Sequence, residues 1–299
     1  MEANHEITKK SSGSVRLALL MTLMAGIGWG CIGLFVRRLN VLSFSSFEIC
    51  AIRNSITLCL LFILILCTDR SLFKIRLKDI WCFLGTGIVS LILFNVCYFT
   101  TITLTSLSIA AVLLYTSPAF VMIMSRFIFG EKITGRKVLA IVLTIGGCFL
   151  VSGMIGDTGS LTLKGLLMGL CSGFCYALYS IFGRFALNKG YNSMTISFYT
   201  FVFGAIGLIP LVNYPAIGQV ILSSASNIIL AILFALICTL MPYLFYTKGL
   251  TILENSTAAV VVAIEPVVAT LISVLILHEP MTLLEGAGII MVLIAIVLA

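Results

Sequence analysis

The sequence predicts an all-α integral membrane protein of ten transmembrane helices, arranged as two inverted five-helix repeats. Two observations carry that expectation: apolar runs without charge recur from end to end, and one block of sequence occurs twice. The 299 residues are 61% hydrophobic and only 10% charged, with mean hydropathy +1.20, so there is too little polar surface to cover a water-soluble globule. The repeated block reads AAVLLYTSPAFVMIMSRFIFGE from Ala110 to Glu131 and AAVVVAIEPVVATLISVLILHEP from Ala258 to Pro280. Its prolines stand 266 − 118 = 148 positions apart, and Glu131 and Glu279 keep the same offset. Five spans is an odd number, so the second copy enters the bilayer in the opposite direction. Inverted repeats give a protein two near-equivalent shapes, with a binding site near the midplane where the halves meet.

Crossing a hydrocarbon core of about 30 Å takes roughly 20 apolar helical residues. Ten runs approach that length: 17–36, 45–67, 80–100, 104–125, 137–154, 163–183, 194–213, 227–247, 256–277 and 282–298. They divide the chain into an N-terminal arm (1–16), a first repeat (17–155) and a second repeat (163–299). The first run exceeds the roughly 7–15 apolar residues of a cleaved signal peptide and is kept as a span. The excess of 18 bases over 11 acids reports topology rather than a nucleic-acid partner. Lys9, Lys10 and Arg16, then Arg70, Lys74, Arg76, Lys78, Arg126, Lys132, Arg136, Lys137, Arg184, Lys189 and Lys248, all fall on one side. Arg37, Arg38 and Lys164 fall on the other, and Arg53 lies within a span. By the positive-inside rule both termini are expected in the cytoplasm, with the chain multi-pass in the cell's inner membrane.

Taken in order, the first and sixth spans carry a small residue every fourth position: Ala18, Thr22, Gly26 and Gly30, then Gly165, Gly169, Gly173 and Ala177. That spacing lines one helix face and lets a neighbouring backbone approach closely. Trp29 then corresponds to Tyr176. The second span holds Glu48 near one end and Arg53 deeper. A charge at such depth costs about 2.5–3.5 kcal/mol on insertion scales, so Arg53 is expected to face protein or water. The third span presents Asn95 and Tyr98 on one face, and the eighth presents Tyr243 and Tyr246 at equivalent places. Pro118 and Pro266, in the fourth and ninth spans, each remove an amide from the helical ladder and are expected to kink it. The fifth and tenth spans are the least polar and are assigned to the periphery, where a homodimer contact would form. The ten cysteines lie in or near spans with no CxxC pair, and His5 and His278 are the only histidines, so neither a metal site nor a disulfide framework is expected. No cofactor is implied.

The stretches FEICAIRNSITLCLL, SLSIAAVLLYTSPAFVMIMSRFIFGEKITGRK and STAAVVVAIEPVVATLISVLILHEPMTLLEGAGI resemble the EamA family of the drug/metabolite transporter superfamily, and the likeness covers nearly the whole chain. Arg53, Pro118 and Pro266 match that family's pattern. The resemblance implies two five-span repeats and a secondary-active carrier that exports small organic metabolites such as amino acids by alternating access. Tyrosines facing the cavity are not a fixed feature of the family.

From the residues themselves, Tyr98, Tyr115, Tyr176, Tyr243 and Tyr246 sit at mid-span depth, away from the interfacial belts where tyrosine gathers, and are expected to line the pathway with Trp29 and Asn95. Glu265 has three readings, a group that binds a proton or a substrate amine, a fixed partner for Arg53, or a water-facing spectator. Arg53 has readings that match the first two, because a guanidinium fork fits a substrate carboxylate equally well. An intramembrane enzyme lacks its chemistry: Asp69, Asp79 and Asp157 lie outside the runs, and no histidine lies within one. A receptor or channel is the alternative to a carrier.

Overall fold

The computed structural model describes residues 12–153 and 162–299. Most of the arm at 1–16, and Asp157, lie outside the described residues. Among the described residues the chain is helical throughout, without strands. Eight helices are long and apolar enough to cross a membrane: α1 (Gly13–Val41), α2 (Ser46–Thr68), α3 (Leu77–Leu104), α4 (Leu107–Phe129), α6 (Leu163–Asn188), α7 (Ser193–Leu211), α8 (Ala225–Leu250) and α9 (Asn255–Leu275). Two more, α5 (Gly135–Val151) and α10 (Leu283–Leu298), are shorter, at 17 and 16 residues. At 1.5 Å per residue they reach about 24–26 Å, short of a typical hydrocarbon thickness. Leu20, Phe62, Ile63, Val142, Ile290 and Val297 stay exposed on the outside of the bundle, as a surface facing lipid requires.

Polar side chains at the helix starts satisfy amides that the helices cannot. Ser45 with Glu48 and Thr282 with Glu285 form capping boxes, and Thr134, Thr162, Asn192 and Ser224 cap α5, α6, α7 and α8. Interior packing depends on missing side chains. A Cβ on Gly26 would lie 2.7 Å from the Val262 carbonyl of α9, and one on Gly173 would lie 2.8 Å from the Leu113 carbonyl of α4. Thus α1 meets α9 as α6 meets α4, each through a member of the small-residue stripes. The α5–α10 pair follows the same rule, with a Cβ on Gly147 falling 2.8 Å from the Gly288 carbonyl and one on Gly288 falling 2.7 Å from that of Gly147.

Pro118 and Pro266 do more than kink their helices. In α4 the helical segments are Leu107–Leu114 and Ser117–Phe129, and in α9 they are Asn255–Val262 and Glu265–Leu275. Each proline is the second residue of its second segment, where the missing amide has no helical partner to lose. Both helices are therefore interrupted at mid-depth. The π-helical stretches Gly85–Leu93 in α3 and Leu236–Leu240 in α8 mark the same level of the other repeat-related pair.

The two copies also end alike. Gly130 (φ 71°) and His278 (φ 56°) hold the same left-handed turn, closed by Glu131 N–H to the Ser125 carbonyl at 3.2 Å and Glu279 N–H to the Ser273 carbonyl at 3.1 Å. A side chain there costs about 1–2 kcal/mol that glycine avoids. His278→Gly is therefore expected to raise the thermal midpoint of the purified protein, and Gly130→Ala to lower it by a comparable amount. A midpoint lowered by His278→Gly would show that the exposed imidazole contributes more than the turn.

Candidate functional site

The centre of the bundle is an aromatic cage built on α1, α6 and α8. Trp29 stands in α1 just before its break at Cys31, and its ring lies edge-on to Tyr243 (5.3 Å) and Tyr176 (6.4 Å) and tilted against Tyr246 (5.6 Å). Gly30, the next residue, rests against the backbone of α9, where its Cβ would fall 2.7 Å from the Glu265 carbonyl. The contact that brings α1 onto α9 thus sets Trp29 beside the interruption in that helix.

Hydroxyl pairs hold the cage closed. Tyr246 and Ser180 are 2.7 Å apart, and Tyr179 and Thr247 are 2.8 Å apart, both pairs joining α6 to α8. The space left between Trp29, Ser90, Phe94, Tyr176, Tyr243 and Tyr246 is about 20 Å³, room for about one water. Tyr98 stands one ring further out, reaching Tyr176 through Phe94 at 5.7 and 5.4 Å. Tyr115 packs in a separate group with Cys148, Ile264 and Val267, alongside Glu265. Asn95 is buried away from the cage. Its amide donates to the Leu91 carbonyl at 2.6 Å and its oxygen accepts from the Cys50 thiol at 3.3 Å, which holds α3 to α2.

Arg53 and Glu265 do not pair. The ion pairs among the described residues are Arg37–Glu279, Arg76–Asp79, Lys137–Glu254 and Lys189–Asp79. Arg53 is half-buried, with the Cys50 sulfur 3.9 Å away and Tyr243 and Cys238 nearby. Glu265 is half-buried too. It opens the second segment of α9 and has Tyr176, Tyr98, Tyr115 and Cys148 around it, with Arg53 near enough to act on it electrostatically. Two opposite charges therefore stand beside the cage without a direct ion pair, Arg53 near Tyr243 and Glu265 near Tyr176, close enough for Arg53 to act on Glu265 through space. Against an isolated charge at this depth, that arrangement is stable only where protein dipoles and water reach both groups.

Some participants escaped the sequence reading. Tyr179 and Ser180 follow Tyr176 by three and four residues and so share its face of α6, a signal present in the spacing but unused. Asp79 is fully buried in the first turn of α3, where it accepts from Lys189 Nζ (2.6 Å), Arg76 Nε (2.7 Å) and the Tyr191 hydroxyl (2.9 Å). It clamps the first turn of α3 to the α6–α7 turn, in the same helix that carries Ser90 and Phe94 to the cage.

A second cavity, of about 340 Å³, lies at the Glu279 end of the bundle between the first turn of α4, the end of α5 and the outer segment of α9. Ala269 and Thr270 on its wall are about one helical turn from Glu265.

The EamA-like transporter family model matches this chain twice, over residues 16–153 and 163–299. A protein of Archaeoglobus fulgidus described as "Uncharacterized transporter" is 29% identical over 91% of this chain and 92% of its own. "Uncharacterized transporter YxxF" of Bacillus subtilis is 24% identical over 98% of this chain and 91% of its own. A solved chain described as "Crystal structure of protein" superposes with TM-score 0.77 at 14% identity, over 94% of this chain and 95% of its own, which establishes a common fold.

Since Arg53 and Glu265 make no direct ion pair and act on each other only through space, neutralising one should cost the other less than breaking a contact pair would. Arg53→Gln, Glu265→Gln and the double variant are expected to fold in similar yield. Their midpoints should be near-additive, well below the 3–5 kcal/mol cost of breaking a buried pair. Poor yield from each single variant with recovery in the double would show that the two charges support each other in the folded protein.

Proposed function

Because the chain belongs to the EamA-like transporter family, we propose that it is a secondary-active carrier that exports small zwitterionic metabolites such as amino acids by alternating access. In this reading all ten helices cross the inner membrane as two inverted repeats, with both termini in the cytoplasm. The observation that carries the substrate class is that Arg53 and Glu265 both stand beside the aromatic cage, near Tyr243 and Tyr176, each half-buried and with no ion pair made between them. A guanidinium fork suits a carboxylate, and Glu265 suits an ammonium or a proton. A zwitterion bridging the two would satisfy both charges at once, and the rings of Trp29, Tyr176 and Tyr243 would receive its apolar part.

The cage at about 20 Å³ is too small for such a molecule, so binding requires the Tyr246–Ser180 and Tyr179–Thr247 contacts to loosen. Export follows from proton exchange. A carboxylate one turn from the larger cavity takes a proton from the outer side and releases it inside, so substrate leaves as the proton enters.

The test is counterflow in proteoliposomes, with candidate substrates first selected by thermal shift, since a ligand that binds only the folded state raises the midpoint with its concentration. Loss of a hydrogen bond to a charged group is worth about 1.5–3 kcal/mol, so Arg53→Gln and Glu265→Gln should each slow counterflow about tenfold or more. Flux through Glu265→Gln should also lose its pH dependence, because glutamine does not titrate. Normal flux through that variant at every pH would remove Glu265 from both roles. Saturable binding without counterflow would favour a receptor or channel.

A further inference from the structure

At the end of the bundle where α4 finishes, Glu131 seals the start of α9. Its carboxylate accepts from Asn255 N–H at 2.7 Å, Ser256 N–H at 3.3 Å and the Ser256 hydroxyl at 2.8 Å. Asn255 also donates to the Ser125 hydroxyl at 3.1 Å and accepts from Arg184 Nε at 2.9 Å. Asn255, Ser256 and Ser125 are 0–1% exposed, so this end is shut.

The positions of that seal recur 147 or 148 residues away, with one loss, the polar side chain of Asn255, whose counterpart Leu107 keeps only the backbone amide. Ser125 corresponds to Ser273, Glu131 to Glu279, Arg184 to Arg37, and Asn255 and Ser256 to Leu107 and Ser108. At this second end the remaining parts are present and differently engaged. Glu279 takes the Ser273 hydroxyl and Arg37, at 2.6 Å, and those partners hold its carboxyl below the usual carboxylate range. The pair is open to water, with side-chain exposures of 57% for Arg37 and 45% for Glu279. Between Glu279 and Leu107 lies the cavity of about 340 Å³.

We propose that Glu131 on Asn255 and Ser256, and Glu279 on Leu107 and Ser108, are two alternating latches. In the other conformation Glu279 closes onto the first turn of α4, filling the larger cavity, while Glu131 releases α9. The two interrupted helices, broken at mid-depth beside the glycine contacts, are the levers that couple one end to the other. This inference rests on the alternating-access reading and adds the residues that close each end.

Hydrogen exchange of the full chain in nanodiscs tests it, read at the amides of 107–108 and 255–256. Glu131→Ala should speed exchange at 255–256 and slow it at 107–108, each by about tenfold, the worth of a hydrogen bond to a charged group. Ser108→Ala, which removes only a hydroxyl from the unengaged latch, should do the reverse and slow exchange at 255–256. Faster exchange at 255–256 in Glu131→Ala with no change at 107–108 would make Glu131 a static cap and overturn the proposal. Should Glu131→Ala not fold, Ser108→Ala decides alone, and unchanged exchange at 255–256 overturns the latch. Counterflow in the same preparations separates the two ideas: reciprocal exchange without counterflow keeps the latches and removes the carrier, and counterflow without reciprocity removes the latches only.

Discussion

Lipid offers helices no reward for hiding apolar surface from it, so the architecture depends on how closely their backbones approach. The approach is close where glycine faces a carbonyl, among them Gly26 and Gly30 of α1 on α9, and Gly173 of α6 on α4. These contacts lie beside the interruptions in α4 and α9, and they fix what the centre contains. Gly30 against the Glu265 carbonyl leaves Trp29 turned toward the tyrosines of α6 and α8. A larger residue at Gly30 would push α1 away from α9 and empty the middle of the cage.

The symmetry of the chain was legible in its sequence because a duplicated helix keeps its spacing. The matched prolines and glutamates, and the small-residue stripes, lead directly to the α1–α9 and α6–α4 contacts and to the pairing of Trp29 with Tyr176. What the spacing could not carry is the direction of individual side chains. Asn95 and Tyr98 share a face by helical count and lie in one regular segment, Phe94–Leu104, but the Asn95 amide bonds back to the Leu91 carbonyl and to Cys50, a choice that helical spacing does not record. The prolines were visible, but whether they bend or interrupt a helix depends on tertiary packing, here the glycine contacts of α1 and α6. Asp79 looked like a loop residue because its partners Lys189 and Tyr191 are more than a hundred positions away.

Symmetry also explains a contact that composition alone would make puzzling. Asn54 of α2 donates to the Phe201 carbonyl of α7 at 3.0 Å, a bond between positions 147 apart, which places it where the two repeats face each other. Its amide oxygen is buried without a partner and sits 2.6 Å from where a Cβ on Gly204 would be. A buried unsatisfied acceptor costs about 1–3 kcal/mol, which sets this contact apart from the satisfied side-chain bonds around it.

The charges break the symmetry. The counterpart of Arg53 is Thr200, buried and bonded to Thr86 at 2.7 Å, and the counterpart of Glu265 is Ser117, also buried. Each repeat therefore supplies one charge and a neutral residue in place of the other. Two copies of each charge would place like charges across one cavity, where repulsion in a medium of low dielectric would drive the halves apart. One of each leaves the pair attractive, and their separation leaves that attraction unspent. The scaffold is thus duplicated in the parts that pack and turn, the glycines, interrupted helices and left-handed turns before Glu131 and Glu279, and single in its two deep charges. That division follows from the packing itself, because a glycine contact can be copied without cost while a second deep charge of the same sign cannot.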